Sequence, residues 1–87
     1  MNKTDRAQKA ERILNDEIFK ESFESVRQAR LQKFESAPVG DADGMMKVRL
    51  CLKLLTDVRA NLEAVIRDGK VEEFNIQEKK RLSIFRR

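Results

Sequence analysis

Val48-Arg49-Leu50-Cys51-Leu52-Lys53-Leu54-Leu55-Thr56-Asp57-Val58-Arg59-Ala60-Asn61-Leu62-Glu63-Ala64-Val65 decides the fold. Within it Val48, Cys51, Leu55, Val58, Leu62 and Val65 are spaced 3, 4, 3, 4 and 3 residues apart. A helix with about 3.6 residues per turn brings such positions onto one face. Met45, Leu52 and Ile66 widen that face, with Arg59 interrupting, and Leu50 and Leu54 add a further apolar row. The apolar surface is broader than a two-stranded seam needs, as in a bundle helix contacted from two sides.

The flanks of this stretch carry its punctuation. Ser36 to Gly44 reads as a loop, holding the single Pro and two of the three Gly residues. Pro38 biases Ala37 away from helical angles, and Asp41 or Asp43 can cap the helix that follows. Gly69 sits where a left-handed C-terminal cap is expected, so the pattern predicts a helix over about residues 43–68. Upstream, Phe19, Phe23, Val26 and Phe34 share a face, with Ile18, Ala29 and Leu31 beside it. Earlier still, Ala7, Ala10, Ile13 and Leu14 make a short amphipathic segment interrupted at Asn15-Asp16, poor helix formers and good caps, where either a kink or a break is expected. The expected elements are helices over about 4–14, 16–36 and 43–68. The expected fold is all-α: a helical hairpin with a short extra N-terminal helix, assembling into an oligomeric helical bundle. The expected domain spans residues 1–69, followed by a basic, flexible tail over 70–87.

Composition narrows the function. The 87-residue chain has 19 Lys and Arg against 15 Asp and Glu, a net charge of +4, with one Cys and no His, Trp or Tyr. Absence of His removes the commonest general base and metal ligand. A single Cys cannot form an internal disulfide, and Cys51 in the apolar face reads as packing rather than as a nucleophile. The carboxylates at Asp16-Glu17, Glu21, Glu24 and Glu72-Glu73 alternate with cations, as on a solvated helix surface. Asp41-Ala42-Asp43-Gly44 has part of a calcium-loop pattern, but placing Gly44 sixth would put Val39 and Leu50 at the first and last ligand positions. The sequence therefore predicts no enzyme, no metal and no cofactor. No apolar run is long enough to span a membrane and no leader pattern opens the chain, so a cytoplasmic location and no membrane partner are expected.

Charge is uneven. Residues 70–87 carry six cations and three acids, and the last nine residues carry five cations and no acid. Lys79, Lys80, Arg81, Phe85, Arg86 and Arg87 are the candidate contacts for DNA or for a protein groove. Two or three helices of this size cannot cover the wide apolar face alone, so a homo-oligomer is expected. Phe19, Phe23, Val26, Phe34, Val48, Cys51, Leu55, Val58, Leu62 and Val65 would form the hairpin core. Met45, Leu50, Leu54 and Ile66 would form the subunit contact.

Ala10-x-x-Ile13-Leu14-Asn15-Asp16-x-x-Phe19, the Phe23 stripe, the loop, the Leu-rich second arm and Asp68-Gly69-Lys70 together resemble a group of small phage and prophage proteins. The resemblance covers about residues 7–73 and stops short of the basic end at Lys79. It implies a short helical hairpin of the kind encoded among virion-assembly genes, a structural or packaging accessory rather than an enzyme. It supplies no functional residues. The apolar seam with no chemistry attached predicts a phage protein that oligomerises and binds a larger protein partner, as such an accessory or as an inhibitor of a host complex. A DNA-binding packaging component resembling a small terminase subunit is the competing expectation.

Overall fold

The computed structural model describes residues 1–85. It is all-helical: α1 spans Lys3–Asn15, α2 Glu17–Ser36 and α3 Ala42–Phe85. The side chain of Asn2 opens α1 by accepting from the Asp5 N–H at 2.8 Å. Asp16 separates α1 from α2. Its backbone is extended, at φ −68° and ψ 127°, and its N–H closes α1 on the Ile13 carbonyl. Its carboxylate accepts from the Phe19 N–H at 2.8 Å and so caps α2. One residue thus serves two helix ends, and the chain breaks there rather than kinking.

The connection between α2 and α3 is five residues, 37–41, shorter than the expected loop. Ala37 is extended, as its position before Pro38 requires. The Asp41 N–H donates to the Pro38 carbonyl at 3.0 Å, closing a turn. Gly40 lies at its third position with φ +99°, a left-handed angle that an L side chain strains to adopt. Of the two candidate caps, Asp41 is the one used. Its carbonyl accepts from the Met45 N–H and its carboxylate from the Gly44 N–H, each at 3.0 Å.

The third helix departs from expectation. It does not stop at Asp68 but runs on for 44 residues, through Gly69 and the segment read as a tail. Gly69 is buried inside this helix rather than capping it. A methyl group at position 69 would overlap the side chain of Ala7 and lie 2.8 Å from the Lys3 carbonyl oxygen. The glycine is there because α1 crosses α3 almost backbone to backbone, with Ala7 and Ala10 buried at the contact. Local sequence cannot distinguish the two uses of glycine, since both need a missing Cβ.

The resulting shape is elongated. The extents are 72 × 25 × 18 Å and the radius of gyration is 20.0 Å. A compact chain of this length would have a radius of about 12 Å. The 44 residues of α3 alone account for about 66 Å of the long axis. The buried hydrophobic side chains among the described residues are Ala7, Ala10 and Val48. Around them lies a half-buried layer that includes Leu14, Phe19, Phe23, Leu31, Leu55 and Leu62.

Candidate interaction surface

The expected core residues fall into two groups. Val48 is buried, and Phe19, Phe23, Cys51, Leu55, Leu62 and Val65 are half-buried. Phe19 and Phe23 touch, with ring centroids 5.8 Å apart and planes tilted by 35°. Val26, Phe34 and Val58, also expected in the core, are instead exposed, at 45%, 42% and 51%. They lie on the rims of the contact, where a chain that packs its helices in one layer has nothing to set over them.

The expected subunit contact divides too. Leu50 and Leu54 are exposed at 53% and 64%. Met45 and Ile66 are half-buried within the chain itself. Met45 shares an apolar cleft of about 500 Å³ with Leu31, Phe34 and Leu52 near the α2–α3 connection. Met46 and Arg49 complete its mouth.

A second cleft of about 500 Å³ lies where α1 meets α2 and is lined by Leu14, Phe19 and Phe23 together with Lys20, Glu24, Arg59 and Glu63. It brings two carboxylates together, but Glu24 is half exposed and paired with Arg27, and Glu63 is half exposed and paired with Arg59 at 3.4 Å. Water-accessible, ion-paired carboxylates of this kind lack the shelter that tunes an acid–base pair. Among the described residues no group of three or more acids and Cys is placed to hold a metal ion.

The basic end sits on α3. Lys79, Lys80 and Arg81 are exposed and helical, and Arg81 pairs with Glu78 at 3.7 Å. Three consecutive residues point about 100° apart around a helix, so these cations ring it rather than line one side. Arg86, Arg87 and the side chain of Phe85 lie outside the described residues.

Further large apolar side chains are exposed along α3. Met46, Val71, Phe74, Ile76, Leu82 and Ile84 are exposed by 42–72%. From Phe74 to Ile84 every residue except Glu78 is exposed. The contacts joining α1 to α3 reach Lys70, paired with Glu11 at 3.9 Å, and Glu73. The spacing of Val71, Phe74 and Leu82 could have revealed this face, but reading Gly69 as a helix end removed the helix on which that spacing has meaning.

The whole chain exposes 7495 Å². A compact protein of 10.2 kDa exposes about 5,300 Å², so roughly 2,200 Å² is in excess. No helix among the described residues is long and apolar enough to cross a membrane. No protein-family model, curated protein or solved structure matches the chain.

Proposed function

We propose that this chain is a non-enzymatic helical protein, a hairpin of α2 on α3 braced by α1. In this reading it oligomerises and binds a larger protein partner. The sequence resemblance favours a phage-encoded accessory of virion assembly or packaging, and an inhibitor of a host complex would place the same demands on the hairpin. The observation that carries the reading is the excess exposed surface, rich in large apolar side chains on one 44-residue helix. Burying apolar surface is the main driving force of association, and many large apolar side chains left exposed on one helix mark it as an interaction site.

DNA binding through the basic end is the second reading. Lys79, Lys80 and Arg81 favour it, being exposed on a helical arm. Their ring-like arrangement supports non-specific phosphate contacts and gives no stripe for tracking a groove. Several arms on one oligomer would strengthen such contacts by avidity.

Size-exclusion chromatography with light scattering, run at low salt with and without a short DNA duplex, tests both. Oligomers indifferent to DNA are the expected result. A monomer at high micromolar concentration would overturn the first reading. A complex with DNA that dissolves with added salt and disappears on deleting residues 79–87 would establish the second.

A further inference from the structure

One face of α3 is open to solvent along most of its length; its first turns, at Ala42, Met46 and Arg49, border the cleft against α2, and from Lys53 onward it turns away from both other helices. Ala42, Met46, Arg49, Lys53, Thr56, Ala60, Ala64, Arg67, Val71, Phe74, Glu78 and Leu82 recur every three or four residues. Their mean spacing is close to 3.6, so the face stays straight along the helix. All are exposed except Ala64 and Glu78, which are half-buried. The alanines Ala60 and Ala64 sit near its middle, and Met46, Phe74 and Leu82 lie towards its ends. Small side chains let two helices approach closely at a crossing, and large ones fill the space where they diverge.

We propose that this face pairs with itself in a second copy of the chain, antiparallel, with the two-fold axis beside Ala64. This rests on the reading that the chain oligomerises, and it names the occupant and the register. Two copies so related bring residues together whose numbers sum to about 128. Met46 then meets Leu82 of the second copy, and Arg49 meets Glu78. Phe74 lies along the stem of Lys53. Each Glu78, the only acid on the face and already paired with its own Arg81 at 3.7 Å, gains a second cation, and Arg49 and Glu78 lie on the same flank, as antiparallel pairing requires.

Two further observations favour a second copy. A stable interface needs about 800 Å² from each partner, and the excess exposure of the whole elongated chain leaves room for one. The arm beyond Glu73 is only about three turns long, and a helix of that length is marginal in water unless something packs on it. In the antiparallel pair each arm rests on the first half of the other copy's α3.

The test uses the full-length chain with Cys51→Ser, so that introduced cysteines report alone. Ala64→Cys places two thiols at the axis and is expected to give a disulfide-linked dimer under mild oxidation. Thr56→Cys places them about 24 Å apart, beyond the roughly 7 Å a disulfide allows, and is expected to give none. Separately, Glu78→Arg is expected to weaken the dimer roughly tenfold, because two symmetric attractions become repulsions, and R49E/E78R to restore it. Equal cross-linking at both positions would mean parallel pairing and would overturn the register alone. A dimer indifferent to Glu78→Arg would place the contact on another face. A chain that stays monomeric at every concentration would overturn this pairing and the oligomer reading together.

Discussion

Gly69→Ala separates the two roles a glycine can play at this position. In a free helix interior the change stabilises by about 1 kcal/mol, because Ala loses less backbone freedom on folding. Here the new methyl would overlap Ala7 and sit 2.8 Å from the Lys3 carbonyl oxygen, so α1 must move outward. Inserting a methyl into a tight contact costs about 1–3 kcal/mol. The docking of α1 should therefore weaken by about 1–3 kcal/mol, while the whole chain loses about 1 kcal/mol after the propensity gain. A 13-residue helix is marginal alone, so α1 depends on that docking. Amide hydrogen exchange followed by NMR resolves the difference. Exchange within Ala7–Leu14 should accelerate at least fivefold, and amides of α3 near Val65 should not. Unchanged or slower exchange in α1 would refute the close approach. Loss of helix beyond position 69 with α1 untouched would restore the glycine to the role of a terminus.

Gly40→Ala should cost about 1–2 kcal/mol in a urea melt, because its φ of +99° strains any side chain although the space around it is open. The same change at a surface position with ordinary angles would not. Asp41→Ala should cost about 1 kcal/mol by removing the acceptor of the Gly44 N–H, with Asp41→Asn retaining most of the stability, read by circular dichroism melts. Lys70→Ala should change stability by less than about 0.5 kcal/mol, since its pair with Glu11 spans 3.9 Å between exposed groups; a larger loss would mean the stem of Lys70 is part of the α1 contact.

Helical periodicity and punctuation made the first two helices legible to within a residue or two. Asn15-Asp16 is a break because Asp16 can end one helix and cap the next using only local atoms. Pro38, Gly40 and Asp41 were readable for the same reason. Phe19 and Phe23 were read as a face and do pack together. Val26, Phe34 and Val58 lie on the same patterns yet are exposed, because periodicity names a face without saying how wide a neighbour covers it.

What the sequence by itself determined is therefore local: the all-helical class, the two breaks, and an apolar surface too wide for the chain to hide. These depend on propensity, capping and spacing over a few residues. Tertiary structure alone decided that Gly69 is a crossing point, because that depends on Ala7, 62 residues away in sequence. It also decided that α3 continues to Phe85. With that continuation the apparent tail became an exposed helical arm, whose apolar side chains the single chain does not cover.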